Sequence, residues 1–168
     1  MSITMYQASV PRFAAMLKNL DAILGRAQAH AAQKKIDPAV LLAARLFPDM
    51  FALQKQVQIA SDHAKGACAR LAGVEVPKYE DNESGFDELR ARVAKTIAFV
   101  ESVKPAQIDN SEQRDIAFKL GGRDLAFKGA DYLLGFAWPN FYFHMVTAYN
   151  ILRHNGVEIG KRDYMGNA

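Results

Sequence analysis

One cysteine, one tryptophan and four histidines are all that 168 residues supply of the side chains richest in redox, stacking and metal chemistry. The lone Cys68 excludes an intrachain disulfide and points to a reducing compartment. Set among Gly66, Ala67 and Ala69, it reads as a buried, inert thiol rather than a nucleophile. None of His30, His63, His144 and His154 falls in a HExxH, and no CxxC or recognisable Ser-His-Asp pattern exists. Gly121-Gly122 has neither the lysine nor the strand-to-helix setting of a phosphate loop. No uninterrupted apolar stretch approaches the roughly 20 residues that cross a bilayer, so no membrane partner is expected. Met1 to Met5 lack the charged start and apolar core of a signal peptide, which predicts a cytoplasmic chain. There is also no basic run of five or six residues. The net charge of +3 comes from Lys and Arg interleaved with Asp and Glu, a solvated surface that predicts no nucleic-acid partner.

What is present is helical periodicity. Half the residues are hydrophobic, a globular composition, and the length suits one domain spanning residues 1–168. Phe13, Leu17, Leu20, Ile23, Leu24 and Ala27 recur at the i, i+3, i+4, i+7 spacing of a first long helix, with Ser9 and Pro11 at its start. Asp37-Pro38 opens a short segment reaching Leu46. Pro48 is expected to begin a second long helix through Val57, Ala64 and Leu71, stopping at Gly73. Residues 74–83 read as a loop, and Ser84 with Asp87 as a capping box for a third helix carrying Phe86, Leu89, Val93 and Val100. Two related stretches, residues 116–120 and 125–128, flank Gly121-Gly122 as a small hairpin that must lean on the helices. A fourth long helix runs from about Asp131 to His154, with Pro139 kinking or dividing it at Trp138. The fold class is therefore all-α: an antiparallel four-helix bundle with a β-hairpin before the last long helix.

On a helical wheel His144 shares a stripe with Leu133, Ala137, Asn140, Phe141, Ala148 and Ile151, so it points inward. A buried imidazole needs partners and is either a satisfied core residue or a ligand. Asn140 sits one turn earlier on that stripe. Asp62, on the second long helix, borders an apolar line. There a carboxylate must be paired, hydrogen-bonded or metal-bound, and Lys65, three residues on, is the ordinary surface partner. Gln54, Gln56 and Gln58 read as solvent-facing helix formers, and His30 and His63 as exposed. The aromatic cluster of Phe136, Trp138, Phe141, Tyr142, Phe143 and Tyr149 covers every face of its helix, which suits core packing, a homodimer contact or a pocket wall.

The block from Pro139 through His144, Arg153 and Gly156, continuing to Gly160-Lys161-Arg162-Asp163, resembles an uncharacterised family, domain of unknown function nineteen-ninety-three. The block from Leu46 and Pro48 through Gln58, Asp62 and Lys65 resembles the same family. That family lies in the DinB/YfiT-like superfamily of four-helix-bundle metalloenzymes, whose members commonly place three histidines around a divalent nickel or zinc ion. Aligning Arg153 and Gly156 with the superfamily's ending puts His144 on the second histidine of a His-x-x-x-His pair. Asn140 then occupies the first, and Asp62 stands in for the histidine of helix two. One of three expected ligands is thus matched, and an Asn amide is a poor ligand for these borderline ions.

Two functions follow as expectations. In one, the chain is a DinB-like binding or assembly module without catalysis, with His144, Asn140 and Asp62 as a buried polar cluster joining helices two and four. In the other, it is a small-molecule enzyme, possible metal assistance included, of the thiol-dependent transferase or isomerase type that the resemblance implies. A homodimer and a small-molecule ligand are the expected partners.

Overall fold

A computed structural model describes residues 2–166; the outermost positions of the expected 1–168 domain, Met1, Asn167 and Ala168, lie outside the described residues. The chain is mostly helical. Four long helices dominate: α1 (Val10–Lys34), α3 (Leu53–Ala72), α4 (Phe86–Ser102) and α7 (Trp138–His154). Short helices α2 (Pro38–Ala43), α5 (Pro105–Ile108), α6 (Gly129–Asp131) and α8 (Lys161–Met165) fill the connections. One antiparallel hairpin, β1 (Asp115–Leu120) with β2 (Arg123–Lys128), pairs Ile116 with Phe127 and Phe118 with Leu125 across Gly121-Gly122. Both turn glycines have positive φ, the conformation such a tight turn requires.

The periodic residues do what their spacing predicts. Phe13, Leu17, Leu20, Ile23 and Leu24 of α1 are buried, as are Val57, Ala64 and Leu71 of α3 and Phe86, Leu89, Val93 and Val100 of α4. Helix α1 packs on α4, α4 on α3, and α3 on α7, around one shared apolar cluster. Gly73 ends α3 at φ 70°, the left-handed cap in which its N–H reaches the Arg70 carbonyl. No helix among the described residues is long and apolar enough to cross a membrane.

Three local expectations are corrected. Pro48 does not begin α3; residues 44–52 form an irregular stretch with a turn at Pro48-Asp49, and α3 starts at Leu53, whose N–H reaches back to Ala44 O at 3.0 Å. The Phe51 carbonyl is held by the side-chain amide of Gln56 at 3.0 Å, which fixes this irregular entry. The short α2 likewise ends at Ala43 rather than Leu46, although Asp37 caps it as expected, accepting from the Ala39 N–H. At the start of α4 it is Glu88, not Asp87, whose carboxylate accepts from the Ser84 N–H and hydroxyl.

Pro139 divides the last helix at Trp138, and the division has a definite form. Residues Tyr132–Ala137 make a π-helical segment, and the Trp138 N–H reaches the Leu133 carbonyl five residues back. Proline has no N–H to give and crowds the preceding turn, so the backbone upstream widens. The Asn140 side chain donates to the Phe136 carbonyl at 2.7 Å, one turn back on its own helix.

Candidate functional site

A cavity of about 450 Å³ opens between α3, the loop after it, β1, the π-segment and α7. Its walls combine Ile59, Val76, Phe118, Leu120 and Phe136 with polar Asp62, His63, Lys65, Arg70, Asn140 and His144. This size lies within the roughly 300–1,000 Å³ of small-molecule sites, which mix apolar walls with a few placed polar groups.

His144 projects inward from α7 and is 8% exposed. Its Nδ1 lies 2.6 Å from Gln56 Oε1 on α3. Gln56 donates through Nε2 to the Phe51 carbonyl, so the amide oxygen is what faces the ring. An amide oxygen can only accept; the imidazole therefore carries its proton on Nδ1, and Nε2 keeps a free lone pair. Burial lowers the His144 pKa from 6.5 to about 4, so the ring is neutral at pH 7.

His63, from α3, stands beside it. The two rings are 5.9 Å apart between centroids, and His63 also meets Phe136 at 5.7 Å. Burial chiefly, then the nearby His144, lowers its pKa to about 4 as well. The expectation that His63 is exposed is thus corrected: it is half-buried and faces the cavity. Gln56 and Gln58 are likewise corrected, at 1% and 2% exposed. Gln58 donates to Glu83 at 2.8 Å. The cause is shared: α3 packs against α4 on one side and α7 on another, so much of its circumference is interior.

Asp62 reaches the cavity rim, but its carboxylate is occupied. Lys65 Nζ lies 2.9 Å and Arg92 Nη2 3.0 Å from the same oxygen. Lys65 is the partner its spacing suggests, yet it is itself buried. Arg92, buried on α4, also meets Glu83 at 2.9 Å and Asp81 at 3.0 Å. This network straps the loop after α3 onto α3 and α4, beyond what residue spacing could reveal.

The structure therefore brings His144, Asn140 and Asp62 to one cavity and adds His63 and Arg70. It does not arrange them as a three-ligand metal shell. The two neutral imidazoles are good donors for a borderline ion, but Asp62 is bound by two cations and Asn140 offers only a neutral amide. Among the described residues no cluster of three or more His, Cys, Asp or Glu is positioned to hold a metal. Elsewhere, His30 lines a separate groove with Arg26 and Gly156, and His154 is exposed in the last turn of α7. Cys68 is buried, and that burial raises its pKa, as an inert core thiol requires.

The family described as Domain of unknown function (DUF1993) matches residues 5–165 of the chain. A solved structure of a DinB family member protein from Shewanella denitrificans is 44% identical, covers 97% of this chain and 92% of its own, and superposes with a TM-score of 0.87. No curated protein matches the sequence.

Proposed function

We propose, for a chain that belongs to the DUF1993 family, the role of a binding module: a DinB-like antiparallel four-helix bundle that takes a small molecule into the cavity between α3 and α7. The ring of contacts from α1 through α4 and α3 to α7 supports the bundle reading, and the shared apolar core supports one domain. The relative from Shewanella denitrificans, itself described as a DinB family member, supports the superfamily.

One observation carries the functional reading. The cavity holds two neutral imidazoles and an apolar wall, while its carboxylate is already neutralised by Lys65 and Arg92. Such a site offers lone pairs and shape to an organic ligand, and it lacks the third ligand of a family-type metal centre. The Gln56–His144 bond joins α3 and α7 whether or not a ligand is present, with Asn140 and Asp62 beside it on the cavity wall. Exposed Leu134 on the π-helical segment and Phe143 and Val146 on α7 support a homodimer, and the single buried thiol supports a cytoplasmic home.

A second reading rests on the Gln56–His144 bond. A ring fixed through Nδ1, with Nε2 open to a cavity, is the arrangement of a general base, so a small-molecule enzyme is the alternative. The experiment for the primary reading is NMR of ring-labelled, metal-free protein against a set of small aromatic fragments. Shifts confined to the rings of His63, Phe118, Phe136 and His144 are expected. Fragments that leave those rings unmoved, or move them only with added metal, contradict it.

A further inference from the structure

Of the cations that line the cavity, Lys65 is matched by acid and Arg70 is not. Lys65 pairs with Asp62, as does Arg92 behind it. Among the described residues Arg70 meets no carboxylate; its Nη1 donates to the Tyr132 hydroxyl at 3.0 Å. Its guanidinium lies 4.1 Å from the centroid of the Phe118 ring. Gly66, one turn earlier on α3, makes room for it: a Cβ there would sit 2.5 Å from Nη1. Stacked, tethered and given space, the side chain is held in place before any ligand arrives. Four of its five N–H donors remain after the Tyr132 bond, enough for a two-point grip on a carboxylate.

We infer that the cavity takes a small organic carboxylate with a planar apolar body, and that Arg70 is its anion-binding residue. This rests on the binding reading above and names the ligand class. The carboxylate would pair with the free edge of the guanidinium, while the body lies among Phe118, Leu120 and Phe136. Displacing water from a half-buried guanidinium is favourable when the incoming group is an anion and costly when it is neutral. The two imidazoles, uncharged at pH 7, add acceptors without competing for the anion.

The test uses the full chain, ring-labelled, at pH 7.5. Phenylacetate, its neutral isostere phenylacetamide, and inorganic phosphate are titrated while the rings of His63 and His144 are followed. Phenylacetate is expected to bind about tenfold or more tighter than either phenylacetamide or phosphate. Arg70→Gln should bring the acid and the amide within about twofold of each other. Gly66→Ala should do the same with the arginine still present, because the new Cβ displaces its tip. This second variant keeps the test decisive if Arg70→Gln folds poorly. Equal binding of acid and amide, or a preference that survives both substitutions, overturns the anion-binding role and leaves the pocket itself standing. Phosphate binding as tightly as phenylacetate overturns the organic ligand. Ring signals unmoved by all three compounds at roughly 20 mM overturn the inference and the pocket reading together.

Discussion

Gln56 and His144, 88 residues apart in the chain, meet at 2.6 Å in the interior, and the amide oxygen of one fixes the proton of the other on Nδ1. The bond ties α3 to α7 at the rim of the cavity and leaves Nε2 as an acceptor. The chemistry assigned to this site begins from that contact.

Replacing Gln56 with Leu leaves a buried Nδ1–H and the Phe51 carbonyl without partners. Unpartnered buried polar groups cost about 1–3 kcal/mol each, so a loss on the order of 2 kcal/mol in urea unfolding is expected. The His144 ring nitrogens should also lose their single-tautomer signature in ¹⁵N NMR. Unchanged stability together with an unchanged tautomer would show that the contact is dispensable.

Both imidazoles are held at a pKa of about 4 against an unfolded value of 6.5. Between those values the unfolded chain binds more protons than the folded one, so lowering pH through this window drains stability. The contribution is complete above pH 6.5 and falls away toward pH 4, by an amount on the order of 3 kcal/mol for each ring. NMR titration of the ring Cε1–H signals should give midpoints near 4. Midpoints near the ordinary value would mean that the cavity is wetter than its geometry implies.

Arg92→Met should destabilise the fold by roughly 3 kcal/mol, since removing one side of a buried ion pair strands the other. Glu83, 8% exposed, bears most of this cost, because Asp62 and Asp81 are about two-fifths exposed and water screens them. The deficit should shrink as pH falls and the stranded carboxylates take up protons. A deficit below about 1 kcal/mol at pH 7, or one that grows in acid, would contradict the strapping role.

The fold was legible wherever one helical face is buried and the other is wet. On α1, the spacing of Phe13, Leu17, Leu20 and Leu24 picks out residues that prove almost wholly buried. The same logic places His144 inward, because it shares a stripe with Phe141, Ala148 and Ile151, all of them buried, and it pairs Asp62 with Lys65. It failed on α3. There Gln56, Gln58 and Lys65 are buried beside Ala60 and Ala64, so a wheel that sorts residues into one inside and one outside misplaces polar groups satisfied by distant partners. His63, with charged and small polar neighbours in sequence, reads as exposed for the same reason, yet it faces the cavity. Pro48 looked like a helix start because proline fits a first turn, but the start is set five residues later by contacts with Ala44 and Gln56. Arg70 gave no local signal at all; its role depends on Phe118 and Tyr132, which the hairpin and π-segment bring to it.

The most direct measurement is elemental analysis of the protein after incubation with excess zinc or nickel and removal of free ion, with His63→Ala and His144→Ala carried alongside. Two imidazoles without a third ligand should retain well under about 0.1 equivalent of metal, with no difference among the three proteins. One full equivalent in the parent protein, lost in both variants, would contradict the account and make the cavity a metal centre.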